Sequence, residues 1–291
     1  MRPELALRAL LADGEGVLAS GPHPERARID AETLLLHVLA KSDPARNRAW
    51  LLTNPEWEVR PETAAEYRRL VGRRLAGEPI QYILGECEFY GLPFDVTCDV
   101  LIPRPETEHL VEKAIQLAAH FAAPRIADIG TGSGAIAVAL AVQLPGASIS
   151  ATDISCAALN VARRNAQRNR VAERIRFLSG DLLAPVAGEH FEIVISNPPY
   201  VAAADSESLA VEVRNYEPPQ ALFAGPGGFE VYRRLIPAAF AALVPGGAIA
   251  LEIGYAQQAV VGELMIAAGF RKVEFTADLQ GIPRIASARR S

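Results

Sequence analysis

The segment Asp128–Ala135, which reads DIGTGSGA, joins a short apolar run to a helix-like segment and so gives the strongest indication of the fold. The run before it, 125–129, has the length and composition of a buried strand, and 135–140 continues as a helix. Its three alternate glycines allow the backbone to turn sharply and to approach a ligand without Cβ atoms. The helix amino terminus behind them favours a carboxylate or a phosphate. The stretch therefore predicts a strand, a glycine loop and a helix that bind a small molecule.

The spacing of these glycines limits the ligand. It is G-x-G-x-G, whereas dinucleotide binders use G-x-G-x-x-G, and no Lys-Ser/Thr pair follows to make a phosphate-binding P-loop. Asp153 ends the next strand candidate, a position where a carboxylate accepts hydrogen bonds from a ribose diol. The alternative is that Asp153 caps the helix that begins near Ser155. The order of strand, glycine loop and acid favours ribose binding.

A third strand candidate ends at Asp181 and Leu182. The Asp181 carboxylate is placed to accept from an adenine amino group, and the Leu182 backbone N–H to donate to a ring nitrogen. The alternative is an ordinary turn aspartate. These features together predict a nucleoside-binding site that lacks a pyrophosphate-binding loop. Such a site suits S-adenosylmethionine, a nucleoside that carries an amino-acid tail and no phosphate.

The rest of the chain has an α/β pattern after a helical first part. Residues 1 to about 80 show helical periodicity, and a helix starting at Asp30 is expected to bury one face. Runs at 88–90 and 94–97, separated by Gly91–Pro93, predict a β-hairpin. From about residue 105, strand candidates alternate with helices, which predicts a mostly parallel sheet covered on both faces. The apolar face of the early helix consists of Ile29, Leu34, Leu35, Val38 and Leu39, and the strand candidates are 125–129, 148–152, 174–178, 191–196, 247–253, 271–276 and 283–288.

The segment Asn197–Tyr200, which reads NPPY, follows the fourth of these strand candidates. Its prolines restrict the backbone, and a rigid loop loses little entropy when it orders a substrate. An amide or aniline-like nitrogen is a poor nucleophile because its lone pair is delocalised. The Asn197 side-chain oxygen and the Pro198 carbonyl are expected to accept both N–H hydrogens, hold the nitrogen in line with a sulfonium methyl and stabilise the growing positive charge.

Tyr200 adds an aromatic face on which a flat target group can stack. The alternative for the whole segment is a proline-rich connection that only ends a strand. Placement after the correct strand of a glycine-loop domain favours methyl transfer to a planar nitrogen. The four residues alone allow a nucleobase and an amide equally.

Composition excludes several other functions. The chain of 291 residues carries 29 Lys and Arg against 34 Asp and Glu, a net charge of −5, and shows no basic run for holding a long duplex. Three cysteines without metal-ligand spacing indicate a reducing compartment, and the five histidines form no ligand set. There is no signal-peptide pattern and no apolar run of membrane-spanning length. We expect a cytoplasmic monomer without a metal and without a membrane or nucleic-acid partner.

The chain resembles the bacterial release factor glutamine methyltransferases, the PrmC/HemK family, over nearly its full length. Besides the loops above, the resemblance lies in residues 77–85 (GEPIQYILG), 88–92 (EFYGL) and 100–108 (VLIPRPETE). Asn-Pro-Pro-Tyr is shared by many amino-methylating enzymes, including adenine-specific DNA methyltransferases, whereas the LIPRPETE stretch is more particular to the glutamine group. The resemblance implies a Rossmann-like class I methyltransferase fold with a mostly parallel seven-stranded sheet, a small N-terminal helical domain and a β-hairpin linker.

The resemblance also implies an organisation and a reaction. Residues 1–85 would form a helical substrate-docking domain, 86–104 the hairpin linker and 105–291 the catalytic domain. The reaction would move a methyl group from S-adenosylmethionine to the side-chain amide nitrogen of the glutamine in the Gly-Gly-Gln loop of class-1 peptide-chain release factors. It would leave S-adenosyl-L-homocysteine and modulate translation termination. The alternatives are an amino methyltransferase acting on adenine or cytosine, which requires base flipping, and a cofactor-binding scaffold without catalysis.

The residues and the resemblance together assign candidate roles. Asn197, Pro198 and Tyr200 are the predicted catalytic residues, and with Pro199 they form the predicted binding site for the glutamine. Some family members have tryptophan at the position of Leu182. Arg104 is hypothesised to lie near the pocket, and Thr107 is expected to start the helix that follows it. The predicted cofactor contacts are Gly130, Thr131, Gly132, Ser133, Gly134, Asp153, Asp181, Leu182 and Asn197.

Overall fold

The computed structural model describes residues 5–291, which form two compact units. The helical unit comprises the residues up to Gly85 together with Ala210–Tyr216. The sheet unit comprises Glu86–Leu209 and Glu217–Ser291. No helix within residues 5–291 has both the length and the apolar content needed to cross a bilayer.

The helical unit contains α1 to α5 and α9, and the sheet unit contains the other helices and the strands. The α-helices are α1 Leu7–Leu18, α2 Ala27–Ala40, α3 Arg48–Thr53, α4 Pro61–Leu75, α5 Ile80–Leu84, α6 Glu108–Ala118, α7 Ala135–Gln143, α8 Cys156–Arg168, α9 Val211–Tyr216, α10 Pro219–Leu222, α11 Glu230–Ala242 and α12 Gln258–Ala267. The strands are β1 Glu86–Phe89, β2 Leu92–Asp95, β3 Arg125–Ile129, β4 Ser148–Asp153, β5 Ile175–Ser179, β6 Phe191–Ser196, β7 Val201–Ala202, β8 Phe223–Gly225, β9 Leu243–Glu252, β10 Arg271–Ala277 and β11 Pro283–Arg289.

Helix α2 differs from its sequence prediction at two residues. It begins at Ala27, after the 3-10 turn Pro24–Arg26, so Asp30 is not the helix start but a buried residue inside the first turn. The Asp30 carboxylate accepts a hydrogen bond from Arg74 Nε of α4 at 2.7 Å. Ile29 was expected on the buried face and is instead 52% exposed, whereas the other four residues of that face are buried. The prediction for Ile29 was therefore wrong.

The large sheet has the strand order β10-β11-β9-β6-β3-β4-β5. The pairs among β9, β6, β3, β4 and β5 are parallel, and β11 and β10 add an antiparallel edge. This arrangement confirms the predicted mostly parallel seven-stranded sheet. Because β3, β4, β5 and β6 run in one direction, their carboxyl ends share one edge of the sheet. Ligands of open parallel sheets bind at that edge.

Helices cover both faces of the sheet, as the continuous apolar strands predict. Ile193 and Ile195 of β6 belong to one core cluster with residues of α6 and α7. Val194, between them, belongs to a second cluster with residues of α11 and α12. This alternation follows from the two-residue period of a strand. Burial of one such side chain stabilises the fold by about 1.5–3 kcal/mol.

The predicted hairpin before the sheet is present, but its turn lies elsewhere. Phe89 pairs with Leu92, so the turn consists of Tyr90 and Gly91. Both residues have positive φ, 53° and 70°, as a two-residue turn of type I′ requires. Pro93 lies inside β2 and faces Glu88 of β1. Residues paired at this position exchange no backbone hydrogen bonds, so a proline without an N–H is tolerated there. The predicted turn at Gly91–Pro93 is therefore wrong by position, because Leu92 and Pro93 belong to β2.

Candidate functional site

A cavity of about 340 Å³ lies at the carboxyl ends of the parallel strands of the sheet unit. This volume is within the range of small-molecule sites. Of the predicted site residues, three do not line this cavity: Gly134, Pro198 and Tyr200. Those that do line it are Gly130, Thr131, Gly132, Ser133, Asp153, Asp181, Leu182, Asn197 and Pro199.

The glycine loop forms an open cradle on one side of this cavity. Gly130 and Gly132 have φ of 72° and 56°, in the left-handed region that side chains disfavour. A Cβ at either position would meet nothing within 4 Å, so both glycines leave space beside the backbone. Gly134 serves a different purpose, because a Cβ there would lie 3.0 Å from the Cβ of Ala162. It allows the start of α7 to approach α8.

Asp153 connects the glycine loop to the end of β4. Its Oδ2 accepts from the backbone N–H of Gly132 at 2.8 Å, and its Oδ1 accepts from the backbone N–H of Ser155 at 2.8 Å. Helix α8 is capped by Ser155, whose Oγ accepts from the Ala158 N–H at 3.1 Å. Burial raises the pKa of the Asp153 carboxyl. The capping position is thus occupied by Ser155, and ribose binding by Asp153 stays a prediction.

Asp181 and Leu182, which follow β5, also line the cavity. The Asp181 carboxylate forms an ion pair with Arg234 of α11, a partner that the sequence did not indicate. Leu182 has a φ of 47°, and its carbonyl accepts from Thr152 Oγ1 at 2.9 Å. This bond ties the turn to the end of β4. Both residues border the cavity, and their contacts with an adenine ring stay predictions.

The Asn197–Tyr200 segment is held at both ends. On the strand side, Ser196 Oγ donates to the carbonyl of Ile129 at 2.6 Å, which joins the ends of β6 and β3. On the other side, Gln257 Nε2 donates to the Tyr200 carbonyl at 3.0 Å. Burial raises the pKa of Tyr200 to about 12, so its hydroxyl keeps its proton at neutral pH. The segment is therefore a fixed wall beside the glycine loop.

Thr107 stands at the N-cap position of helix α6, as the sequence predicts, but its side chain makes no capping hydrogen bond. Instead, its hydroxyl donates to Glu252 Oε2 at 2.6 Å. Asn197 Nδ2 donates to Thr107 Oγ1 at 3.2 Å. The capping expectation failed because a buried acceptor from a distant strand competes for the hydroxyl hydrogen.

Glu252, Gln257 and Asp128 belong to the site although sequence reasoning gave them no role. Burial raises the pKa of Glu252 and of Asp128 to about 7 each, and hydrogen bonds from Thr107 and Thr131 oppose part of that shift. The Thr131 hydroxyl donates to Asp128 Oδ2 at 2.6 Å and so braces the glycine loop. The sequence does carry a signal for Asp128 and Glu252. Each is an acid inside or at the end of an apolar strand, where an unpaired charge is costly and a specific partner is therefore expected.

Arg104 lines the cavity, as hypothesised from its motif. Its guanidinium pairs with the buried Glu217, the residue before the segment that leads into α10. The pair joins the 100–108 segment to another wall of the cavity. Among residues 5–291, no group of three His, Cys, Asp or Glu side chains is arranged to hold a metal ion.

Two protein-family models match the chain. The methyltransferase small domain matches residues 107–282, and the PrmC N-terminal domain matches residues 9–85. The release factor glutamine methyltransferase of Bordetella pertussis is 43% identical over 280 residues, which cover 96% of this chain and 97% of that protein. The protein of the same name from Geobacter sulfurreducens is 42% identical, with 99% of this chain and 98% of that protein covered.

Solved structures agree on the fold. The hMettl16 catalytic domain has a TM-score of 0.58 at 19% identity, covering 88% of this chain and 91% of that one. The T. thermophilus 16S rRNA methyltransferase RsmC, in complex with AdoMet and guanosine, has a TM-score of 0.51 at 16% identity, covering 71% of this chain and 50% of that one. These similarities confirm the predicted class I methyltransferase fold. The relatives' identity of 42–43% over nearly the full length, together with the two family models, shows that the chain belongs to the release factor glutamine methyltransferase family.

Proposed function

We propose that this methyltransferase moves the methyl group of S-adenosylmethionine to the side-chain amide nitrogen of the glutamine in the Gly-Gly-Gln loop of class-1 release factors. The observation that carries the proposal is the position of Asn197, which lines the same cavity as the open glycine cradle. Relatives at 42–43% identity that are named release factor glutamine methyltransferases support the choice of acceptor.

The cavity fits the cofactor. The Gly130–Gly134 loop leaves room for backbone approach, and the amino terminus of α7 behind it favours a carboxylate such as that of the methionine tail. Asp153 stands beside the loop and would accept hydrogen bonds from the ribose diol, and Asp181 and Leu182, which also line the cavity, would contact the adenine. When bound, the cofactor supplies an electrophilic methyl group on a sulfonium.

The chain's own residues would then orient the amide nitrogen. The Asn197 side-chain oxygen and the Pro198 carbonyl would accept its two N–H hydrogens, which fixes the direction of its lone pair. The same acceptors stabilise the positive charge that grows on the nitrogen as it bonds to the methyl carbon. The N–H becomes acidic at that point, so no strong general base is required. Tyr200, with its protonated hydroxyl, would offer an aromatic face to the planar amide.

We assign the docking of the release factor to residues 1–85, with 86–104 as the hairpin linker and 105–291 as the catalytic domain. The separation into compact units after Gly85 and the match of the PrmC N-terminal domain to residues 9–85 support this division. We further propose that the enzyme acts as a monomer in the cytoplasm, where release factors work, without nucleic acid as a partner. Methylation of adenine or cytosine in nucleic acid is not favoured by these relatives.

The test is transfer of labelled methyl from S-adenosylmethionine to three acceptors presented separately. These are a purified class-1 release factor, the same factor with its Gly-Gly-Gln glutamine changed to alanine, and duplex DNA. The proposal expects label in the unchanged release factor alone. Label in DNA alone, or equal label in both forms of the release factor, contradicts it.

A further inference from the structure

Three side chains from distant parts of the sheet unit form a hydrogen-bonded chain that ends at Asn197. Thr107 Oγ1 donates to Glu252 Oε2 at 2.6 Å, and Asn197 Nδ2 donates to Thr107 Oγ1 at 3.2 Å. The Thr107 and Glu252 residues are 4% and 3% exposed, so water does not compete for these bonds. The proposed methyl-transfer reaction, as derived above, uses neither Thr107 nor Glu252.

While Glu252 is ionised, the hydrogen bonds that link Asn197, Thr107 and Glu252 can have only one arrangement of donors and acceptors. A carboxylate can only accept, so the Thr107 hydroxyl must give its one hydrogen to Glu252. The hydroxyl oxygen can then only accept, and the group of Asn197 that faces it must be the NH₂. Glu252 also accepts from the Asn197 side chain, which enforces the same orientation.

We propose that Thr107 and Glu252 are positioning residues that fix the amide orientation of Asn197, so that its Oδ1 is the atom presented to the substrate nitrogen. This inference rests on the proposed function. A carboxamide has similar shape in its two orientations, and packing alone does not choose between them. Hydrogen-bond partners make the choice, and here they are Thr107, which lines the cavity, and the buried Glu252.

The wrong orientation would disable the site. A reversed Asn197 would present its NH₂ to the NH₂ of the target amide, two donors facing each other. The target would lose an acceptor, and a buried donor would remain unsatisfied. The acceptor role that methyl transfer requires of Asn197 is thus secured by the 100–108 segment and by the end of β9. Within the 100–108 segment, the role of Thr107 is therefore to orient the side-chain amide of Asn197.

The environment of Glu252 makes the arrangement sensitive to protonation. Burial raises the pKa of the Glu252 carboxyl to about 7; Glu106 adds to the effect and Arg284 opposes it. Tyr200 lies near enough to interact with it, and the Tyr232 hydroxyl donates to the Glu252 carbonyl at 2.8 Å. A protonated Glu252 can donate to Thr107, which frees the threonine hydrogen to point at Asn197. Both amide orientations would then be satisfied.

The matched pair Thr107→Val and Thr107→Ser tests the inference. Valine keeps the shape and removes the hydroxyl, whereas serine keeps the hydroxyl and removes only a methyl group. We expect Thr107→Val to lower kcat for methyl transfer to the release factor by on the order of 10- to 100-fold, the scale of a misaligned reacting group. Thr107→Ser should stay close to the unchanged enzyme. Equal kcat in Thr107→Val and the unchanged enzyme, or an equal loss in both variants, overturns the inference.

The function and the inference fail in different ways. If the unchanged enzyme does not methylate the release factor, the proposed function fails. If it does, and Asn197→Ala lowers turnover while Thr107→Val does not, only the positioning role fails. Should Thr107→Val not fold, Glu252→Gln decides through the pH profile of kcat. We expect the rise of kcat through about pH 7 to disappear in Glu252→Gln, and an unchanged rise overturns the inference.

Discussion

The backbone N–H of Gly132 donates to Asp153 Oδ2 at 2.8 Å, so the acid at the end of β4 holds the glycine loop that follows β3. The other oxygen of the same carboxylate accepts from Ser155 N–H. Asp153 is therefore a brace between two strand ends as well as a candidate ribose acceptor. Its removal should change both the shape of the cradle and the chemistry of its wall.

Asp153→Ala is expected to weaken binding of S-adenosylmethionine by on the order of 1.5–3 kcal/mol, since a charged hydrogen-bond acceptor is lost. Isothermal titration calorimetry measures this change. Asp205→Ala, at an exposed aspartate of the sheet unit, is the matched control and should leave the affinity unchanged. Equal affinities for both variants would remove Asp153 from cofactor binding and leave it with the loop-bracing role alone.

Asn197→Ala should leave the fold intact and lower the rate of methyl transfer by roughly 10²–10³, the scale of losing one preorganised polar partner. Single-turnover kinetics with saturating cofactor isolate this step from binding. Asn160→Ala, at an exposed position of α8, serves as the control for asparagine removal. Undiminished turnover in Asn197→Ala would exclude Asn197 from the mechanism.

Stability without cofactor should fall as the pH rises from about 4.5 to about 7, because burial raises the pKa of Glu252 from 4.5 to about 7. In this window the folded state holds a proton that the unfolded state has released, so each added pH unit favours unfolding. The contribution is on the order of 1.4 kcal/mol per unit of pKa shift. Asp128 acts in the same direction, with a pKa of about 7.

Urea denaturation across that pH range measures the effect, with Glu252→Gln as the comparison. The glutamine variant cannot ionise, so its free energy of unfolding should fall less with rising pH than that of the unchanged protein. Parallel pH dependences of the two proteins would show that Glu252 ionises at an ordinary pKa.

Gly254→Ala is expected to displace Tyr200 and reduce turnover. A Cβ at this position would lie 2.9 Å from Tyr200 Cδ2 and 2.9 Å from Gln257 Oε1, closer than such contacts allow. Gly72→Ala is the matched control, because the helical Gly72 has nothing within 4 Å of its added Cβ. That control should raise stability by roughly 0.5–1 kcal/mol. A crystal structure of Gly254→Ala with Tyr200 unmoved would refute the expectation.

Local features of this protein follow well from its sequence. The glycine loop, its flanking strand and helix, and the placement of Asp153 depend on residues close together in the chain. The left-handed backbone of the loop requires glycines at alternate positions, and the strand end carries an acid. Both features can be read directly from the residue types in the sequence. The same holds for the alternation of strand and helix candidates, which predicted a mostly parallel sheet.

Features that depend on tertiary contacts did not follow. Thr107 and Glu252 are separated by 145 residues, and they meet because helix α6, which Thr107 precedes, packs against β9. Asp181 likewise pairs with Arg234 of α11, 53 residues later in the chain.

The prediction for Ile29 failed for a different, local reason. Val38 follows Ile29 by nine residues, which is about two and a half helical turns, so the two side chains point to opposite sides of α2. Ile29 is therefore 52% exposed while Val38 is buried.

The position and amount of the transferred methyl group decide whether the proposed function is correct. Fragment-ion mass spectrometry of a release factor incubated briefly with this enzyme and S-adenosylmethionine would assign the added mass to a single side chain. We expect one methyl group on the amide nitrogen of the Gly-Gly-Gln glutamine, and on the order of 10²-fold less of it after the same incubation with Asn197→Ala. A methyl group on any other residue, or an equal amount of the modification produced by Asn197→Ala, would refute the proposal.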